Sequence, residues 1–409
     1  MCTTFWMDMT MKAMRSGWKH IALCSMLALV ACVDDSYRGY EIDYEDYKEG
    51  YTVSVAVGDP YAVRGTGPKN YINDLSGCDV LVWAFNRAED TPFTAVRTKT
   101  DSLQCLIDGK AATVVANNSL TVWKEGSVYY PSEEQVAERY DFYGAFIDDA
   151  TVLDQHRASD KVQLDIEIDG SQDVMTSKAG LPRYASTGEV KDYAFSYLSS
   201  KEGDVPIFTL NHHLTKLDLF VRPGITYGFS NTMTITGANL ETRTQGTLTV
   251  AAKDTDNMGM VFWDNAPYKQ VILRNQNGEA CEPVTLSTIN TYDAETGINR
   301  YVDDPYLLQL QKDATRQLGA SFFVAPEKTY TLNLTFKDPD PRDDPFPNTV
   351  RLNSGEAFLP GHHYQVTMTV YGSYLIDIDC IMVPWLQAGS IWVDKDRQAD
   401  EEDGWIGPH

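Results

Sequence analysis

Residues 363–372 read HYQVTMTVYG, and every second side chain in this stretch is large and apolar. A period of two indicates a β-strand with one face in a hydrophobic core, because successive side chains of a strand point to opposite faces of the sheet. The stretch therefore predicts a half-buried strand. Alternation of this kind involves Tyr364, Val366, Met368 and Val370 here, and elsewhere Val53, Val55, Val57, Val162, Leu164, Ile166, Ile168, Leu217, Leu219, Val221, Tyr330, Leu332, Leu334 and Phe336.

The remaining pattern also favours strands. Residues 78–86 (CDVLVWAFN) are apolar at most positions, which predicts a central strand buried on both faces. Clusters of Gly, Pro, Asn and Asp separate the strands at sandwich-like intervals, and only residues 131–140 and 305–318 indicate helices. We therefore predict an all-β protein with two antiparallel β-sandwich domains, at residues 51–210 and 211–409.

The N-terminal segment has the layout of a secretory signal. Its apolar run at residues 21–31 (IALCSMLALVA) follows three basic residues and is too short to span a bilayer. The run ends at Cys32, and LVAC resembles the bacterial lipobox, whose cysteine thiol receives a diacylglycerol. Residues 1–31 are thus predicted to be a lipoprotein signal peptide, with a buried cysteine in an N-terminal helix as the alternative.

An acidic segment follows the lipobox. Residues 32–50 are rich in Asp, Glu, Tyr and Gly and poor in aliphatic residues, which predicts a solvated tether. Asp34 and Asp35 resemble the signal by which some diderm bacteria move lipoproteins to the outer face. The formal net charge of the chain is −24, which disfavours binding to nucleic acid or to anionic lipid surfaces. A lipid on Cys32 would then be the only membrane anchor.

The cysteines beyond Cys32 are few and widely spaced. Four thiols allow three disulfide pairings in an exported protein, and no C-x-x-C pair indicates a metal. We interpret them as mostly buried, small apolar residues. They are Cys78, Cys105, Cys281 and Cys380.

The chain carries no motif for catalysis, for phosphate binding or for a catalytic metal. His212-His213 and His362-His363 are adjacent pairs, whose side chains point to opposite faces of a strand and cannot chelate one ion unaided. Residues 337–347 (KDPDPRDDPFP) offer four aspartates, but the prolines oppose a compact calcium loop, so we interpret it as a rigid hairpin end. We predict a non-enzymatic protein without cofactor, although an acidic chain offers many carboxylate pairs of the kind that glycosidases use.

Several stretches taken together resemble the fimbrillin family, the subunits of type V pili of diderm anaerobes. The C-terminal one of these stretches, which ends at Trp392, includes Trp385 and Gly389. The acidic tail at residues 393–409 departs from the family pattern, which leaves the place of the subunit in a pilus open. The stretches are YTVSVAVGDPYAVRGTG (51–67), CDVLVWAFN (78–86), ATVVANN (112–118), YDFYGAFID (140–148), DVMTS (173–177), LNHHLTKLDLFV (210–221), FLPGHHYQVTMTVYG (358–372) and YLIDIDCIMVPWLQAGSIW (374–392).

The resemblance implies transthyretin-like sandwich domains, export as an outer-membrane lipoprotein, and removal of the first strand by an arginine-specific protease. Val53, Val55 and Val57 would fill a groove until cleavage between Arg64 and Gly65. The open groove would then accept a strand of another fimbrial subunit. The alternative for the arginine is an ordinary loop residue.

The C-terminal stretch YLIDIDCIMV is a candidate donor strand. Its apolar side chains lie on one face and its carboxylates on the other, as strand addition requires. The alternative is that the strand completes its own domain. The apolar face is predicted to hold Ile376, Ile378, Cys380 and Met382.

The predicted function is that of a structural and adhesive fimbrial subunit at the cell surface, in contact with other subunits and with a host or bacterial ligand. The first alternative is an uncleaved anchor of the same assembly. The second is a surface glycan-binding lipoprotein, in which Trp123 or Trp405 stacks on sugars. A hydrolase would need a cleft with a carboxylate pair.

Overall fold

The computed structural model describes residues 51–57, 75, 77–88, 91–95, 104–115, 120–131, 138–180, 195–201, 203–337, 345–372 and 374–383. These residues form strands joined by short loops, with two short α-helices, which confirms the all-β prediction. No helix among them is long and apolar enough to span a bilayer.

The strands of the first half are β1 (Ala56–Val57), β2 (Asp79–Asn86), β3 (Cys105–Val114), β4 (Thr121–Trp123), β5 (Tyr140–Phe146), β6 (Thr151–Arg157), β7 (Lys161–Glu167), β8 (Met175–Lys178), β9 (Ile207–Phe208) and β10 (Asn211–His212). Helix α1 (Tyr197–Lys201) precedes β9. The predicted strands at residues 78–86 and 161–169 are confirmed as β2 and β7.

The second half contains β11 (Thr215–Pro223), β12 (Ile225–Thr226), β13 (Thr232–Arg243), β14 (Gln245–Ala252), β15 (Gly259–Phe262), β16 (Tyr268–Ile272), β17 (Val284–Ser287), β18 (Ile289–Asn290), β19 (Tyr292–Asp293), β20 (Ile298–Asn299), helix α2 (Pro305–Asp313), β21 (Arg316–Gln317), β22 (Phe322–Val324), β23 (Tyr330–Lys337), β24 (Phe346–Leu352), β25 (His363–Gly372) and β26 (Leu375–Val383). A single 3₁₀ turn occupies Thr255–Asn257.

Two sheets enclose the first hydrophobic core. One has six strands in the order β10-β8-β5-β2-β3-β4, and the other has four in the order β15-β14-β7-β6. Trp83 and Tyr143 of the first sheet and Leu164 and Leu248 of the second belong to one buried cluster. Strand β2 lies between β3 and β5, as its two apolar faces predict.

Two further sheets enclose the second core. One joins β21 and β22 to β11, β25 and β26, and the other joins β16 and β17 to β13, β23 and β24. Strand β25 pairs in parallel with β11 and antiparallel with β26, while β13 pairs antiparallel with β23. The alternating residues of β11, β23 and β25 are buried in this core, as predicted.

Strand β14 belongs to the first core although it follows the predicted boundary at residue 210. It continues β13 after the single residue Thr244 and pairs antiparallel with β7, with Leu248 opposite Leu164. Strands from both sides of the boundary therefore share a sheet, and the domain limits and the transthyretin-like arrangement stay predictions.

Helix α2 confirms one of the two predicted helices. The Asp304 carboxylate caps it by accepting from the Tyr306 N–H at 2.9 Å, and Pro305 occupies the first turn, where it costs no hydrogen bond. Most of the other predicted helix, residues 132–137, lies outside the described residues.

Candidate functional site

The first strand, residues 51–57, has chain segments on both of its sides. On one side it lies antiparallel to the segment that contains β4. The Thr121 N–H donates to the carbonyl oxygen of Val55 at 3.0 Å, and the indole Nε1–H of Trp123 donates to that of Val53 at 2.7 Å. These bonds fix the register of the strand against its neighbour.

On its other side the strand pairs in parallel with β9. Ala56 lies opposite Ile207 and Val57 opposite Phe208, and the Ala56 N–H donates to the Pro206 carbonyl at 2.9 Å. Because it has partners on both sides, removal of the strand would leave two rows of main-chain groups without partners.

The valines of the first strand are interior residues. Val53 and Val55 have no exposed surface, and Val57 is buried as well. Burial of an aliphatic side chain of this size stabilises a fold by roughly 1.5–3 kcal/mol. The structure thus places the three predicted groove-filling residues where an apolar slot would open if the strand left.

An aromatic layer lies beside this strand on the outer face of the six-stranded sheet. Tyr143 of β5 faces the first core, so the alternating Phe142 and Gly144 face the opposite side. A Cβ added at Gly144 would lie 2.8 Å from the Phe208 ring, which shows how closely β9 covers β5. The Phe195 ring centroid lies 5.5 Å from that of Phe142.

Two tyrosines of the same region, Tyr130 and Tyr140, have their ring centroids 6.4 Å apart. Burial raises the pKa of both hydroxyls far above the usual range, so both stay neutral. Neither hydroxyl has a hydrogen-bond partner among the described residues. The layer is therefore uncharged at these rings, which suits an apolar strand.

The candidate donor strand, β26, forms the edge of its sheet and pairs only with β25 among the described strands. Ile376, Ile378 and Cys380 are half-buried against the second core, and burial raises the pKa of the Cys380 thiol to about 12. Met382 departs from the expected pattern because it is 54% exposed, while the next residue, Val383, is buried. In this structure β26 completes its own sandwich.

The histidines of the first pair lie at the end of β10, where His212 is the last residue of the strand and His213 follows it. His212 Nδ1 lies 2.6 Å from an Asp173 carboxylate oxygen, and His213 Nε2 lies 2.7 Å from the Thr176 hydroxyl. Burial lowers the pKa of His213 to about 4. No cluster of three or more acidic, histidine or cysteine side chains suited to a metal occurs in the described ranges.

His363 of the second pair also bonds to an acidic residue. His363 Nε2 lies 2.8 Å from Asp218, whose carboxylate also accepts from the Ser321 hydroxyl. Burial opposes ionisation of Asp218, but these bonds and the charge of Lys216 outweigh it and lower the pKa of the carboxyl.

Among the described residues, Cys78, Cys105, Cys281 and Cys380 form no disulfide with one another. Cys105 and Cys281 are buried and Cys78 and Cys380 are half-buried, as the sequence predicts for most of them.

Trp123 is not the exposed platform that the glycan-binding alternative requires. Its indole is bonded to Val53, and the Lys110 ammonium lies 5.7 Å from the ring centroid. It supports the first strand instead.

Several predicted site residues lie outside the described residues. They are Cys32, Arg64, Gly65, Asp338, Asp340, Asp343, Asp344, Trp385, Gly389 and Trp405. Sequence reasoning missed β9, which has two residues and no periodic pattern. The only signal for it was the apolar pair Ile207-Phe208.

No protein-family profile and no curated protein matches the chain. Among solved structures it is similar to a protein assigned to cell adhesion from Bacteroides uniformis, at 14% identity and a TM-score of 0.42, over 82% of this chain and 98% of that one. A fimbrial protein from Bacteroides vulgatus has 10% identity and a TM-score of 0.42, over 82% and 99%. The fimbrial anchor protein Mfa2 from Porphyromonas gingivalis has 8% identity and a TM-score of 0.31, over 82% and 98%.

The names of these neighbours describe cell-adhesion and fimbrial proteins. Their TM-scores lie below 0.5, so the function proposed below rests on the strands of this chain and on its own sequence.

Proposed function

We propose that this protein is a structural and adhesive subunit of a surface fimbrium that polymerises by strand exchange. One observation carries the proposal. The first strand is buried inside the fold, but in the sequence it lies between the predicted tether and the segment that contains Arg64. A strand near one end of a chain can leave after a single cut, whereas a strand in the middle cannot.

Departure of the first strand would create a template for another strand. The N–H of Thr121 and the carbonyl of Pro206 now bond to it from opposite sides, and both would lose their partners. An unpaired buried main-chain group costs roughly 1–3 kcal/mol, so an incoming strand that restores these bonds is strongly favoured. The valine slot would select a donor with alternating aliphatic residues.

Export and processing complete the proposal. Cys32 carries the lipid that holds the precursor at the outer membrane, and an arginine-specific protease cuts between Arg64 and Gly65. That cut removes lipid and strand together. In the alternative that the sequence leaves open, this chain is not cut and stays at the base of a fimbrium.

Strand β26 is the proposed donor. It is an edge strand with three half-buried side chains on one face and Asp377 and Asp379 on the other, so it can detach with less disruption than a central strand. Detachment would also expose part of the second core, which a neighbouring subunit would have to cover.

Substitution of Arg64 by Ala tests the proposal. The variant should keep the first strand and stay out of fibres, while Arg38→Ala, whose site lies in the tether, should polymerise normally. Electron microscopy of surface fibres and N-terminal sequencing measure both effects, and we expect assembled chains to begin at Gly65. Assembled chains that all begin at lipidated Cys32 would support the anchor and refute the cleaved subunit.

A further inference from the structure

One end of the second sandwich carries a concentration of exposed aromatic rings. Five of the eight exposed tyrosine and phenylalanine side chains in the described part of the chain belong to it, and Tyr301 is 78% exposed. Folded proteins seldom leave so many large rings in water at one place without an interaction to serve. We call this surface the tyrosine end, and it consists of Tyr227, Phe229, Tyr292, Tyr301 and Tyr306.

Hydrogen bonds hold the first three rings in neighbouring loops. The Asn290 Oδ1 atom accepts from the N–H of Gly228 and from that of Tyr292, each at 3.0 Å. The Thr226 hydroxyl donates to the Phe229 carbonyl at 2.6 Å and closes the turn between them. One amide side chain thus joins the turn at 227–229 to the hairpin of β19 and β20.

The other two rings are joined to the same frame. The Arg300 N–H donates to the Thr291 carbonyl at 2.9 Å, and its guanidinium carbon lies 4.8 Å from the Tyr306 ring centroid. The Asp304 N–H donates to the Tyr301 carbonyl at 3.1 Å, so Tyr301 directly precedes the capped start of α2. The rings are therefore displayed by a fixed scaffold.

Polar side chains belong to the same segments as the rings. Glu295, Asn299 and Asp303 are exposed. Asp293 and Asp304 add two more carboxylates, against one guanidinium from Arg300. The tyrosine end thus combines flat apolar faces with hydrogen-bond acceptors and an acidic balance.

We propose that the tyrosine end binds a neutral oligosaccharide. Pyranose rings present a face of C–H groups that packs on an aromatic ring and a rim of hydroxyls that donate to carboxylate and amide oxygens. The acidic balance disfavours sialylated, sulfated and phosphorylated ligands. This site is independent of polymerisation.

The test uses the purified full chain and arrays of neutral oligosaccharides built from mannose, galactose, xylose and N-acetylglucosamine, with sialylated and sulfated counterparts. The best neutral binder is then titrated calorimetrically. Tyr301→Ala/Tyr306→Ala should weaken its affinity about tenfold or more, because the variant loses two of the rings on which the sugar would stack. Tyr268→Ala is the matched control: this tyrosine is 59% exposed but pairs with the opposite end of β13.

Binding of a neutral glycan that the double variant loses and the control keeps supports the site. Absence of neutral binders, a preference for anionic glycans, or equal affinity of the double variant overturns it. If the parent chain binds no glycan, and the double variant keeps its melting temperature but fails to enter fibres, the tyrosine end is instead a contact between subunits.

Discussion

His213 and His156 lie in different electrostatic environments. His213 is buried beside Thr176, and burial lowers its pKa to about 4, because a charged imidazole would lose its hydration. His156 is exposed, and its hydrogen bond to Asp165 raises its pKa. Protonation of His213 therefore destabilises the folded state, whereas protonation of His156 stabilises it.

His213→Gln should reduce the acid sensitivity of the protein. Below pH 6.5 the unfolded chain takes up a proton at His213 that the folded chain refuses until about pH 4, so the folded state loses stability across this window. At pH 5 this cost is about 2 kcal/mol. Urea unfolding measures the free energy of unfolding at pH 7.5 and at pH 5. The difference between these two values should be smaller in the variant than in the parent.

The control for this measurement is His156→Gln. Its pKa is higher in the folded state, so protonation stabilises the fold at low pH, and its loss should make the variant more sensitive to acid. Equal acid sensitivity of the parent and His213→Gln would contradict the buried neutral imidazole.

A second prediction concerns the contact between β5 and β9. Gly144→Ala places a methyl group 2.8 Å from the Phe208 ring, so the ring and β9 must move. Overpacking of this kind costs roughly 1–3 kcal/mol, and we expect a lower midpoint of denaturant unfolding. Gly180→Ala is the control, because no atom of the described residues lies within 4 Å of its added Cβ. A Gly144→Ala variant as stable as the parent would show that β9 does not press on β5.

At the scale of elements, β26 is an edge strand, so the effect of a new charge on stability depends on which face of the strand carries it. Ile378→Asp puts a carboxylate against the second core and should destabilise the isolated protein by roughly 2–4 kcal/mol. Leu375→Asp introduces the same charge in the same strand at a side chain that is 60% exposed, and it should have little effect. Calorimetric melting measures both.

The same two variants address the donor role. If β26 enters a neighbouring groove, Ile378→Asp should stop fibre growth even at temperatures where the monomer stays folded. A variant that melts like the parent and still forms fibres would contradict both the packing and the donor role.

Local sequence pattern predicted the elements whose two faces differ in polarity. Strands β7 and β23 alternate without interruption, and β11 and β25 place a buried apolar residue at every second position, so the existence of these strands and their apolar faces follow from the two-residue period. Met382 escaped the same rule, since exposure at the end of a strand depends on where the core stops and not on the strand itself.

At the scale of the whole molecule, membrane attachment is predicted to depend on one thiol. Cys32→Ser removes the sulfur that accepts the lipid, so the precursor should remain unprocessed and leave the detergent phase of a phase-partition assay. Mass spectrometry of the N-terminal peptide identifies the lipid directly. Detergent partitioning and normal signal removal in the variant would show that Cys32 is not the acceptor.

Long-range pairing was beyond the reach of the sequence. The pairing of β14 with β7 joins residues about 80 positions apart, and no local period records such a partner. The parallel neighbours of the first strand were equally hidden, because β9 is too short to show a pattern. The sequence pattern predicts two sandwiches, but it does not predict that the consecutive strands β13 and β14 belong to different ones.

The near-continuous run of β13 and β14 has a mechanical consequence. Residues 232–252 pass from one sandwich to the other with only Thr244 between the two strands, a contour length of about 70 Å at ~3.3 Å per residue. Tension along a fibre would travel through this covalent backbone. The flanking strands β7 and β23 would then be loaded in shear, in which many hydrogen bonds must break together instead of one after another. Such a subunit would act as a stiff link that holds its length until it fails all at once.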